Sequence, residues 1–159
     1  MIIMGVDPGS NVTGYGIIKR DGNELLLISD GCVCPSRNLS FYERLFFVFL
    51  KLRDIIDTYK PTEIAIEDVF YHKNARSSLK LGHVRGAIII ASLISNIPVF
   101  EYSPLQVKKA VTGYGGATKS QVREMVKVIL GVKKDMKFDS SDALAVAICH
   151  ANSRDFVEK

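Results

Sequence analysis

The opening run Met1-Ile2-Ile3-Met4-Gly5-Val6 constrains the fold more than any other stretch, because five of its six residues are apolar. Only a strand covered on both faces tolerates so little polarity. The run stops at one carboxylate, Asp7, followed at once by the turn pair Pro8-Gly9. Open α/β sheets place their sites in this way, with a buried central strand delivering an acid to its carboxyl end. An aspartate here can equally do no more than cap the turn. Taken alone, the position leaves both readings open.

The chain that follows reads as an α/β protein. Thr13 to Lys19 is a second strand, Asp21-Gly22-Asn23 a tight turn, and Glu24 to Cys34 a third strand ended by Pro35. Three strands joined by short turns form an antiparallel meander. The period then changes. Ser40 and Glu43 make a capping box, and Leu45, Val48, Leu52, Ile55 and Tyr59 recur at helical spacing until Pro61. Phe46, Phe47 and Phe49 widen that stripe and predict packing on two sides.

Glu63 to Glu67 is a fourth strand, again ending in an acid. A helix near Ala75 to Ser95 follows, with Leu79, Val84, Ile88, Ala91 and Ile94 as its expected core face. Within it, Gly82 and Gly86 lie one turn apart, a spacing that suits either a dimer contact or close packing inside the fold. Pro98 to Tyr102 is the fifth strand. Ser103 and Gln106 cap another helix, Thr112 to Ala117 interrupts it as the most flexible stretch, and Thr118 and Gln121 cap the next, which ends at Gly131. A last helix opens at Asp139-Ser140-Ser141-Asp142 and runs to about Asn152. Residues 153–159 are expected to fray.

No repeat or linker divides the 159 residues, so one domain over 1–159 is expected, large enough to bury about 70% of its unfolded surface. No signal peptide and no bilayer-length apolar run is evident, which reads as a cytoplasmic, non-membrane protein. Three scattered cysteines, Cys32, Cys34 and Cys149, have neither disulfide nor zinc-ligand spacing, and His72, His83 and His150 are equally dispersed. The net charge of +4 is compatible with a polyanion and no more. Distribution is more telling: Lys73, Arg76, Lys80 and Arg85 fall in one stretch, Lys108, Lys109, Lys119, Arg123 and Lys127 in another. Solvated helix faces would account for both.

Four carboxylates stand out: Asp7 and Glu67 at strand ends, Asp139 and Asp142 at a helix start. The last two, three apart, share a helix face, though each also suits a cap in the field of the helix dipole. Crowded acids raise one another's pKa unless a cation holds them ionised. Oxygen donors without histidine or cysteine suit Mg²⁺, with Mn²⁺ a substitute. Two such ions about 4 Å apart would stabilise attacking and leaving oxygens in phosphodiester hydrolysis.

Several blocks carry a resemblance. Gly5-Val6-Asp7-Pro8-Gly9-Ser10 and Thr13-Gly14-Tyr15-Gly16 are similar to the opening of RuvC-type Holliday junction resolvases. The similarity continues through Glu67-Asp68-Val69-Phe70, Ser77 to Gly82, Tyr102 to Lys108, Ala110 to Gly115, Lys119 to Val122 and Asp139 to Ala145. The resemblance implies an RNase H-like fold, a five-stranded mixed sheet (an antiparallel three-strand meander plus two parallel strands) flanked by helices. It implies a homodimer that nicks four-way junction DNA symmetrically with divalent metal, and a RuvA/RuvB-type branch-migration partner. The family's catalytic and metal-binding acids fall on Asp7, Glu67, Asp139 and Asp142. Its functional lysines fall on Lys108 and Lys119, and its base-stacking aromatic on Phe70. Lys73, Arg76 and Lys80 join these as DNA-binding candidates. Asp68 departs from the family pattern, where many relatives have glutamine, and an added acid there would repel DNA or shift metal affinity. Competing readings are a general RNase H-like nuclease, a junction-binding module without catalysis, and an actin-like kinase sharing the Asp-x-Gly turn; 159 residues supply one of the two lobes such a kinase needs.

Overall fold

The computed structural model describes residues 1–68 and 74–154. Its elements are β1 (Ile2–Asp7), β2 (Thr13–Asp21), β3 (Glu24–Val33), α1 (Phe41–Tyr59), β4 (Glu63–Glu67), α2 (Ala75–Ile94), β5 (Val99–Tyr102), α3 (Pro104–Thr112), α4 (Lys119–Ile129) and α5 (Phe138–Arg154). The strands form one sheet in the order β3-β2-β1-β4-β5. β1 pairs antiparallel with β2 and parallel with β4, and β5 adds parallel to β4. The meander-plus-parallel arrangement expected from the sequence is therefore present, with β1 at its centre. All three capping boxes, at Ser40, Ser103 and Thr118, form as the sequence suggests.

Strand alternation sorts the core into two layers. Met4, Val6, Ile64 and Ile66 face α1 and α2, where they meet Val48, Leu52, Ile56, Val84 and Ile88. Ile3 and Ala65 face the other way, toward α3, α4 and α5. α5 lies between the sheet and α3–α4, and residues 143–151 are buried without interruption. A helix apolar all round belongs inside a protein, and this one does.

Close approach of α5 depends on glycine. A Cβ on Gly5 would stand 2.0 Å from the Ala143 carbonyl oxygen, one on Gly14 1.9 Å from that of Asp139, and one on Gly16 2.5 Å from Leu144. At the far end, Glu63 joins strand to helix: one carboxylate oxygen takes a bond from His150 Nε2 at 2.5 Å, the other from Arg154 at 2.5 Å. Tyr102 donates to His150 Nδ1 at 2.7 Å.

Several expectations are corrected. Leu79 and Ile94 are exposed rather than core, and Ser92 is buried instead. Phe46 is exposed as well, so α1 packs on one side. Gly82 and Gly86 face open space within the chain. Ser153 and Arg154 continue α5 rather than fraying, because Arg154 is tied to Glu63. α2 is, by length and mean hydropathy, long and apolar enough to cross a bilayer, against the expectation of no such run. Its buried residues nonetheless belong to the sheet-facing core.

Candidate active site

Period-two alternation aims the two strand-end acids. Asp7 shares its face with Ile3 and Gly5, and Glu67 shares its face with Glu63 and Ala65, so both point to the α5 side of the sheet. The parallel register Val6↔Ile66 sets Asp7 beside Glu67 on adjacent strands. Asp7 is also the partner of Gly14, whose missing Cβ admits the Asp139 backbone. The first turn of α5 thus sits directly over the ends of β1 and β4. Asp139 lies inside that turn, after Phe138, rather than capping it.

Electrostatics reflect the crowding. Burial, then the charges of Glu67, Asp142 and Asp139, push the Asp7 carboxyl up to about 8, against a partial opposing pull from Lys119. Glu67 rises to about 7, first through burial and then through Asp142, while Lys119 and Lys108 oppose the rise. Lys119, in the first turn of α4, places its Nζ 2.6 Å from Asp142 Oδ2. That bond raises the lysine's own pKa.

The four acids and two lysines named from the sequence therefore share one electrostatic site. Among the described residues no three His, Cys, Asp or Glu side chains stand close enough to clasp one ion as they are. The donor chemistry still fits a divalent cation: the cluster is all carboxylate, burial and then neighbouring charge raise the proton affinity of Asp7 and Glu67, and a lysine ammonium offsets part of that. Hard cations relieve the same repulsion.

The other candidates divide. Arg76 is exposed in the first turn of α2, where Asn74 caps its backbone N–H at 3.0 Å. Lys80 lies over the Phe41 ring, 5.4 Å from its centroid. Phe70 and Lys73 lie outside the described residues. Asp68 meets Arg85 at 2.9 Å, and Arg85 also pairs with Glu101. Arg85 was legible only as one of a basic run, because its two carboxylate partners come from separate strand ends. The glycines that seat α5 left a signal in the sequence: Gly14 and Gly16 recur on one face of β2, beside the acid-bearing strand.

A mixed sheet of this order, with acids gathered at the carboxyl ends of its two central strands beneath a helix start, defines an RNase H-like nuclease. The model of the crossover junction endodeoxyribonuclease RuvC family matches residues 3–150. The chain belongs to that family. A crossover junction endodeoxyribonuclease RuvC of Geotalea uraniireducens is 48% identical over 153 residues, covering 96% of this chain and 90% of that protein. The structure of Thermus thermophilus RuvC superposes with a TM-score of 0.90 at 30% identity, covering 99% of this chain and 97% of the other. The same protein in complex with Holliday junction substrate gives 0.93, with coverages of 99% and 96%.

Proposed function

We propose that this chain is a divalent-metal-dependent endonuclease that resolves four-way DNA junctions by paired symmetric nicking. The observation that carries this reading is the convergence of Asp7 and Glu67 with the start of α5, in a chain similar along nearly its whole length to junction resolvases. Asp7, Glu67, Asp139 and Asp142 would hold the metal, with Mg²⁺ the physiological ion and Mn²⁺ a substitute. Bound there, the ion supplies positive charge to the scissile phosphate and acidifies the attacking water. Lys119, whose Nζ bonds Asp142 Oδ2, would be free to meet a phosphate where a cation held that carboxylate. Lys108, whose charge already reaches Glu67, adds to the field that draws the backbone in. The products would carry 5′-phosphate and 3′-hydroxyl ends.

Symmetric nicking implies two active sites, hence a homodimer. Leu79, Gly82, Gly86, Ile90 and Leu93 supply a surface for it: they follow helical spacing along α2, the three large residues are exposed, and both glycines are open. Such a stripe lets two copies of one helix approach closely about a two-fold axis. A branch-migration partner and a cytoplasmic site of action accompany the proposal.

Cleavage of a synthetic four-way junction in Mg²⁺ tests it, beside linear duplex and an Asp7→Asn variant. Paired nicks in the junction alone, lost in Asp7→Asn with junction binding retained, are expected. Equal cutting of duplex would leave a general nuclease, and wild-type cutting by Asp7→Asn would displace the site.

A further inference from the structure

Beside the Asp7 turn lies a cavity of about 310 Å³, lined by Ser10, Asn11, Arg44, Ser77, Lys80 and Leu81. Its walls come from three places in the chain: the β1–β2 turn, the first turns of α1 and the start of α2. Two of the six residues are cationic and none is acidic. Arg44 Nη1 donates to Asn11 Oδ1 at 2.8 Å, which fixes the guanidinium without neutralising it. Its Nε is buried and has no hydrogen-bond partner. Arg53, Arg85, Arg123 and Arg154 also carry an unbonded Nε; the guanidinium groups of Arg85, Arg123 and Arg154 meet carboxylates, and Arg53 does not line the cavity. Among the described residues no carboxylate stands within 4.0 Å of Arg44 or Lys80. The neighbouring acid, Glu43, is engaged by the backbone N–H of Ser40 at 2.7 Å. Lys80 is steadied by the Phe41 ring rather than by an anion. α2 adds its positive end, with no acid in its first turn.

We propose that this cavity is a phosphodiester subsite, in which Arg44 grips a backbone phosphate of the strand being cut, next to but distinct from the scissile one. The proposal rests on the nuclease reading. Ser10 follows Asp7 by three residues, so their Cα atoms are no more than roughly 11 Å apart and the subsite borders the acid cluster. A planar guanidinium with an unused donor suits two phosphate oxygens at once, and Lys80, Ser10 and Ser77 supply charge and hydroxyl donors around it. The subsite would set the register of the strand, fixing which phosphate reaches the acids.

The test measures junction affinity against salt in an Asp7→Asn background, comparing Arg44, Arg44→Gln and Arg44→Lys. It then repeats the measurement on junctions with one methylphosphonate at each position flanking the cut. Arg44→Gln is expected to weaken binding about five- to tenfold and to lower the slope of log K against log salt by about 1, as loss of one phosphate contact requires. Arg44→Lys should keep the slope. One methylphosphonate should weaken the Arg44 protein and leave Arg44→Gln unaffected. An unchanged slope in Arg44→Gln, or equal methylphosphonate penalties in both proteins, would overturn the subsite. So would protection of the cavity by inorganic phosphate with no methylphosphonate effect, which assigns it to a free anion. Failure of the Asp7→Asn protein to prefer junction over duplex would instead overturn the nuclease reading itself. Matching thermal melts establish that each variant is folded.

Discussion

Lys119 Nζ lies 2.6 Å from Asp142 Oδ2, joining the first turn of α4 to the second turn of α5 across the acid cluster. The lysine side chain is 70% exposed and the aspartate 13%. An exposed cation thus rests on a largely covered anion, and it stands where metal charge would compete with it.

Replacement of Lys119 by Gln removes that charge without removing bulk. Single-turnover junction cleavage is expected to fall by about 100-fold, within the range lost when one preorganised charge is deleted from a reacting site. Junction affinity should change by much less, since one phosphate contact is a small share of the total. A cleavage rate within twofold of wild type would assign Lys119 to the surface.

In chelator the acid cluster should weaken the fold as pH rises. The Asp7 carboxyl is held at about 8 in the folded chain, well above its ordinary value near ~3.9. Folding therefore favours its protonated form, so stability is fullest at low pH and is lost as pH climbs through about 8. Asp7→Asn has no proton to lose there. Its unfolding free energy should exceed that of wild type by a margin that grows by about 1.4 kcal/mol per pH unit from pH 6.5 to about 8 and then levels off. Divalent metal should shrink the margin by stabilising wild type alone. Constant melting differences across this range would show that the cluster is not strained by its own charge.

Gly14→Ala should damage both fold and chemistry. The added methyl would meet the Asp139 carbonyl 1.9 Å away, and backbone on both sides leaves no flexible atom to yield. A loss of about 1–3 kcal/mol in urea unfolding is expected from overpacking, with cleavage reduced by tenfold or more as Asp139 shifts.

Asp68→Asn is expected to leave cleavage within about threefold of wild type. Its carboxylate engages Arg85, which Glu101 also holds, so its charge is already balanced away from the acids. A larger rise or fall in the Mg²⁺ concentration needed for half-maximal rate would show that Asp68 acts on the metal after all.

Glu63→Ala should cost about 3 kcal/mol, because it strands buried His150 and leaves Arg154 unpaired. His150 also sets an acid limit. Burial lowers its pKa despite the opposing bond to Glu63, so the neutral ring is the folded form. The stability this contributes is present above the unfolded value near ~6.5 and is lost as pH falls below it. Denaturant midpoints at pH 7.5 and 5 measure both effects. Glu63→Gln, which keeps an acceptor for His150, should lose less.

The sequence by itself determined the strand and helix order and all three capping boxes, and it singled out the four acids as candidates. These are local properties: an apolar run, a change of period from 2 to 3.6, and a carboxylate at an element's end are each written in a few adjacent residues. Periodicity also told which helices have an apolar side, but not which apolar residues that side would spare. Leu79, Ile94 and Phe46 look like core in a helical projection and are exposed, because the sheet is only wide enough to cover part of each stripe.

Tertiary structure alone decided what meets what. Asp7 and Glu67 converge because parallel pairing of β1 and β4 puts both strand ends on one level and one face. Asp139 and Asp142 join them because Gly5, Gly14 and Gly16 let α5 lie against the backbone of the sheet. Lys119 reaches Asp142, and Arg44 reaches Asn11, across separations of 23 and 33 residues that no local pattern encodes. Such contacts follow from how the layers close over a shared core, so the candidate residues were legible one by one and their geometry was not.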